Sequence, residues 1–245
     1  MAQDLVTSTV HFQSDGEEVA CYLARPASGG PHPGIIVIQE WWGVNDHIKD
    51  VTNRVASEGY VGLAVDLYTY AGHKITGDAD EASRLAEELR YDTAMRYLVG
   101  GVEYLKNADF ARGGSIGVLG FCMGGSYSLL MACRNRDIRV AVAFYGQVIN
   151  EQPTEENPVN PIELVPEMSC PLLYIHAGAD EWIPLDHANR LRGAMKQAGK
   201  EGEVRSYPGA PHAFFNDTQP DIYRPEEAKD AWRRTLAFLE RGLNG

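Results

Sequence analysis

The chain has 245 residues, a net charge of -12, 44% hydrophobic and 23% charged residues, and four scattered cysteines at 21, 122, 133 and 170. That composition suits a globular protein with a sizeable core, and the acidic balance, with no Lys/Arg cluster, argues against nucleic-acid binding. The cysteines lack the spacing of a zinc site or a disulfide framework, and no apolar stretch reaches the roughly 18 residues that span a bilayer.

Residues 1–10 carry neither the basic region nor the apolar core of a secretory signal. A reducing cytoplasm is therefore expected, where a free thiol persists. No metal or cofactor is expected, and the oligomeric state is left open between a monomer and a small homo-oligomer.

Residues 6–12 and 19–25 alternate around Ser14-Asp15-Gly16 and predict an antiparallel hairpin. Gly34-Ile35-Ile36-Val37-Ile38 is a continuous apolar run, as expected of a parallel strand covered on both faces. Ile48, Val51 and Val55 follow at helical spacing, with Gly59 placed to close that helix. Residues 61–66 predict the next strand. Met95, Leu98, Val102 and Leu105 mark a long helix, read here as continuous with one through residues 81–90.

Residues 116–119, 139–145 and 171–176 predict three more strands. A helix after Pro184 carries Leu185, Ala188, Leu191 and Met195. A short strand over 203–207 precedes a last helix with Ala228, Trp232, Thr235 and Leu239 on one face. Alternating strands and helices after a hairpin predict a single α/β domain over residues 1–245, with a mostly parallel sheet of about eight strands and helices on both faces. Residues 147–168 break the rhythm with four prolines, and predict a structureless excursion that is either an active-site lid or a solvated surface loop.

Gly120-Phe121-Cys122-Met123-Gly124-Gly125 lies between a predicted strand and a predicted helix. A G-x-C-x-G spacing there is what a nucleophile elbow needs, with cysteine in place of serine. The helix N-terminus would favour a thiolate; the alternative is a buried cysteine beside a Gly-rich turn. A thiol nucleophile needs a base and an orienting group. His212, in Pro211-His212-Ala213-Phe214-Phe215 after the last strand, is the candidate base. Asp180, in Gly178-Ala179-Asp180-Glu181-Trp182, is the candidate acid, or else the N-cap of the helix that follows. Cys122, Asp180 and His212 repeat the nucleophile–acid–histidine order of the α/β-hydrolase fold.

Gln39-Glu40-Trp41-Trp42-Gly43 follows the first parallel strand. In this fold that loop supplies one oxyanion N–H and the residue after the nucleophile the other, which points to Trp41 and Met123. Glu40 reads equally as a structural carboxylate or a catalytic one. Aromatic side chains near strand ends, Trp42, Tyr68, Tyr145, Trp182 and Phe215, are candidates for the substrate wall, with Tyr145 foremost.

Over nearly its whole length the chain resembles the dienelactone hydrolase family, the carboxymethylenebutenolidases. The resemblance rests on Gln39-Glu40-Trp41-Trp42-Gly43, Gly120 to Gly125, Ala179-Asp180 with Ile183-Pro184, and Pro211-His212-Ala213-Phe214. It implies an α/β-hydrolase cleaving lactones or activated esters through a cysteine, histidine and aspartate. It also implies that Glu40 contacts the thiol and takes its proton when substrate displaces it. The family holds its substrate carboxylate with arginines, one of them four residues after the histidine. Asn216 stands there instead, and Arg84 matches the other only loosely, so a neutral substrate is expected. The alternatives are a cysteine-dependent acyltransferase of the polyester-synthase kind and a non-enzymatic thiol module.

Overall fold

The computed structural model describes residues 4–244. The first three residues of the stretch read for a secretory signal, and Gly245, lie outside them. The elements are β1 (Leu5–Ser14), β2 (Glu17–Pro26), β3 (His32–Ile38), α1 (Asp46–Ser57), β4 (Val61–Val65), α2 (Ala79–Glu88) and α3 (Tyr91–Asn107). Then come β5 (Ala111–Phe121), α4 (Met123–Arg134), β6 (Ile138–Phe144), β7 (Leu172–Ala177), α5 (Leu185–Gln197), β8 (Gly202–Tyr207) and α6 (Pro225–Asn244). Eight strands form one sheet in the order β1-β2-β4-β3-β5-β6-β7-β8. β1, β2 and β4 pair antiparallel in turn, while β3–β4, β6–β7 and β7–β8 are parallel. Among the described residues no helix is long and apolar enough to cross a membrane.

The chain packs as two compact units, the described residues of Met1–Val118 with Thr154–Pro158, and those of Leu119–Pro153 with Val159–Gly245. In the first, β4 is buried throughout and β3 from Pro33 onward, the pattern of strands covered on both faces. α1 starts where the Asn45 side chain accepts the Ile48 N–H at 3.1 Å and buries Ile48, Val51 and Val55. It stops at Gly59, whose φ of +89° a side chain would resist.

The continuous helix expected over 81–105 is two helices. Leu89 and Arg90 between them are extended, with ψ of 105° and 138°. The cause is remote in sequence: the Leu89 carbonyl accepts from the Asn157 amide at 3.2 Å, and the Tyr91 N–H donates to Glu156 O at 2.8 Å. Residues 154–158 thus satisfy the backbone groups that a continuous helix would have paired internally.

In the second unit, α4 packs on β6, α6 on β6 and β7, and α5 on β7 and β8. The excursion over 147–168 is not structureless. Pro161–Glu167 forms a 3₁₀ segment, and Val148, Ile149, Leu164, Val165 and Met168 are buried. The Asn150 N–H donates to the Asn160 side chain at 3.0 Å, and Ile162 N–H to Val148 O at 2.9 Å. Leu185, expected on the apolar face of its helix, is exposed, because it occupies the first turn, ahead of the buried face of His187, Ala188, Leu191 and Met195.

Candidate active site

β5 ends at Phe121 and α4 begins at Met123, which leaves Cys122 alone to make the turn. It does so at φ 54° and ψ -119°, a conformation that costs a residue with a Cβ about 1–3 kcal/mol. Three backbone bonds hold it there. The Cys122 N–H donates to Phe144 O at 3.0 Å, and its carbonyl accepts from Gly125 and Ser126 at 2.9 and 3.3 Å. Glycine is required around it: a Cβ at Gly120 would collide with Gly124 O, and one at Gly125 with Phe144 O. The spacing of the motif anticipated Gly120. The mutual approach of Gly125 and Gly146 was not anticipated, because nothing local joins those positions.

Asp180 follows β7. Its Oδ1 accepts the N–H groups of Trp182 and Ile183 at 2.9 and 3.0 Å. Its Oδ2 accepts from His212 Nδ1 at 2.6 Å. Asp180 is not the cap of α5; Pro184 occupies that position. The loops carrying Asp180 and His212 are tied by Gly178 N–H to Tyr207 O at 2.8 Å and Ala179 N–H to Ala210 O at 2.9 Å.

The other His212 nitrogen, Nε2, is buried with no hydrogen-bond partner among the described residues, and Cys122 acts on the same ring. Burial alone would lower the pKa of His212. Hydrogen bonding to Asp180 and to Cys122, with the electrostatic pull of each, outweighs that and pushes it up to about 10. Cys122 is partly exposed, whereas the other three thiols are buried. Burial pushes Cys133 and Cys170 up to about 12 and Cys21 further still.

The substrate-wall candidates divide sharply. Trp182 is 63% exposed, and its ring centre lies 4.8 Å from that of His212. Tyr145 also lies against His212, at 5.1 Å, but it is fully buried, as are Phe215 and Asn216. These three pack beneath accessible surface instead of lining it. Asn216 turns its Oδ1 to the Thr218 N–H and hydroxyl at 3.1 and 2.6 Å.

In the first unit, Glu40 is buried directly after β3. The Trp41 and Trp42 rings meet edge-on at 5.0 Å. Tyr68 is likewise buried, and its hydroxyl donates to Trp41 O at 2.8 Å. Arg84 is an exposed helix residue whose guanidinium contacts Glu88 at 3.1 and 3.3 Å.

Sequence reading missed His176. It sits in β7 among apolar residues and is fully buried. Its Nε2 lies 3.0 Å from Ile183 O and its Nδ1 3.2 Å from Ser206 Oγ.

The chain is 34% identical over 235 residues to a Methylorubrum extorquens protein provisionally named a carboxymethylenebutenolidase, covering 95% of this chain and 80% of that one. It is equally 34% identical, over 96% and 94% of the two chains, to a Bradyrhizobium protein provisionally named a 2-oxo-3-(5-oxofuran-2-ylidene)propanoate lactonase. A crystal structure from Klebsiella pneumoniae, provisionally titled a dienelactone hydrolase, superposes with a TM-score of 0.89 at 29% identity, covering 96% of this chain and 98% of that one. The sequence profile of the dienelactone hydrolase family matches residues 19–243. With its α/β-hydrolase fold and its activity as a lactone and ester hydrolase, the chain belongs to the dienelactone hydrolase family.

Proposed function

We propose that this hydrolase cleaves activated esters and enol lactones through Cys122, His212 and Asp180, by way of a thioester. The observation that supports the reading is the 2.6 Å contact of His212 Nδ1 with Asp180 Oδ2, with Cys122 acting on the same ring. The sulfur of Cys122, its proton passed to His212 Nε2, adds to the substrate carbonyl carbon, and the carbonyl π pair moves to oxygen. Collapse of that oxyanion breaks the bond to the leaving oxygen, which takes the proton from His212 Nε2. His212, now neutral, removes a proton from water as it attacks the thioester, and thiolate departs. Asp180 holds the ring and its Nδ1 proton throughout.

A thiolate derives from an acid of pKa about 8.5 and is expelled far more readily than an ordinary alkoxide. Net acyl transfer to sulfur therefore requires a leaving group of comparable or lower pKa, such as an enol or phenol. Simple alkyl esters and peptides would be poor substrates. The Trp41 and Met123 N–H groups are proposed as oxyanion donors and Glu40 as the group that controls the thiol proton. The substrate is proposed to be uncharged. Asn216 is buried and turned to Thr218, Arg84 faces Glu88, and the exposed surface beside His212 is the apolar Trp182.

The test is a panel of enol lactones and aryl esters run with wild type and Cys122→Ala, together with iodoacetamide labelling. Inactivation should track one modified thiol at Cys122, since the other three are buried. Full activity after labelling of Cys122, or turnover by Cys122→Ala near wild type, would refute the mechanism.

A further inference from the structure

We propose that His176 is a positioning residue for Asp180, acting through the backbone of Ile183. The inference rests on the triad reading above and extends it by one further residue. A carbonyl oxygen can only accept, so the 3.0 Å contact from His176 Nε2 to Ile183 O means that Nε2 carries a proton. Nδ1 faces the Ser206 hydroxyl at 3.2 Å, directly across the β7–β8 pair, where His176 and Ser206 are register partners. The ring is fully buried and both its nitrogens are engaged, which fixes its orientation.

Ile183 is therefore held from two sides. Its carbonyl is bound by His176, and its N–H is bound by Asp180 Oδ1 at 3.0 Å. With Trp182 N–H at 2.9 Å on the same oxygen, Asp180 Oδ1 is occupied and Oδ2 is left to meet His212 at 2.6 Å. If the Ile183 carbonyl were released, the Ile183 backbone could turn about its φ and ψ, the N–H of the preceding peptide could shift from Oδ1, and the carboxylate could turn on its axis. Catalytic geometry is sensitive to such displacements, since about 1 Å can cost about a hundredfold in rate. Titratable groups near His176 include Tyr174, whose ring stacks on it at 6.3 Å and is acted on by Asp180, and His187 on α5, where Glu151, Asp186 and Arg190 also act.

The experiment compares His176→Phe, His176→Gln and Ser206→Ala in the full chain. It measures kcat and KM on an aryl ester and follows the His212 ring titration by NMR. His176→Phe should lower kcat by about tenfold or more with KM within about twofold, and should move the His212 titration to lower pH. His176→Gln should recover most of kcat, because its amide can still donate to Ile183 O. Ser206→Ala should fall between wild type and His176→Phe.

A folded His176→Phe with wild-type kcat and an unmoved His212 titration would overturn the proposal. So would a folded His176→Gln as impaired as His176→Phe. If His176→Phe fails to fold, the other two variants decide. His176→Gln near wild type with Ser206→Ala impaired supports the proposal, and Ser206→Ala with unchanged kcat and titration refutes it. Asp180→Asn in the same assays separates the layers. If it leaves His212 unmoved, the triad reading fails. If it shifts His212 while the His176 variants do not, only the positioning role fails.

Discussion

Asp180→Asn removes a charge while keeping the shape of the side chain, so it isolates the electrostatic work of the 2.6 Å contact to His212. A hydrogen bond to a charged partner contributes about 1.5–3 kcal/mol, and one pKa unit corresponds to 1.36 kcal/mol. The substitution should therefore lower the pKa of His212 from about 10 by about one to two units. Interaction with Cys122 would support what remains, against the downward pull of burial. Stability should follow. A histidine whose folded pKa is raised stabilises the fold fully below its unfolded value near 6.5, and that contribution is lost as pH rises through the folded value. The wild-type advantage in melting temperature over Asp180→Asn should therefore be largest near pH 6 and shrink toward pH 10. The assay is a ring titration of His212 by NMR, paired with melting curves at fixed pH intervals. An identical titration in the two proteins would refute the reasoning.

Further outcomes follow from the same geometry. His212→Ala should lower kcat by about 10²–10⁴ by removing the proton-transfer group, measured on an aryl ester; near-normal turnover contradicts its assignment. Glu40→Gln should leave the resting thiol more ionised and slow its activation, read as thiolate absorbance against pH. An unchanged titration would remove the proposed role. Trp182→Ala should raise KM for aryl esters several-fold with little change in melting temperature, since the ring is exposed; an unaltered KM would exclude it from the substrate wall. Asn216→Arg should lower stability without improving use of a carboxylate-bearing lactone, because the position is buried; a stable variant with raised kcat/KM for the anion would reverse that view.

The parts of the fold legible in the sequence are those set by local pattern. The apolar run from Gly34 to Ile38, the helical spacing of Ile48, Val51 and Val55, and the stop at Gly59 each carry their own cause. The break at Leu89–Arg90 could not be read, because residues 154–158, more than sixty positions away, impose it. The same limit applies to the site. Cys122, Asp180 and His212 stood out by chain order and motif, and His212 Nδ1 lies 2.6 Å from Asp180 Oδ2. Tyr68, Tyr145 and Phe215 were placed by residue type and by position near strand ends, and neither says whether an aromatic ring faces solvent or core. His176 was invisible for the opposite reason: one polar residue in an apolar strand declares its role only when Ile183 and Ser206 are seen beside it.

The backbone at Cys122 carries a consequence for how this protein could be improved or selected. Glycine at that position would relieve a strain of about 1–3 kcal/mol, offset by about 1 kcal/mol from the greater freedom of the unfolded chain. At a pH above the folded value of His212, where the ring no longer draws stability from the sulfur, Cys122→Gly should then be about as heat-resistant as wild type while lacking the sulfur altogether. Selection for thermal tolerance without a simultaneous demand for turnover would therefore place no brake on losing the nucleophile, and screens built on melting temperature alone should enrich inert chains.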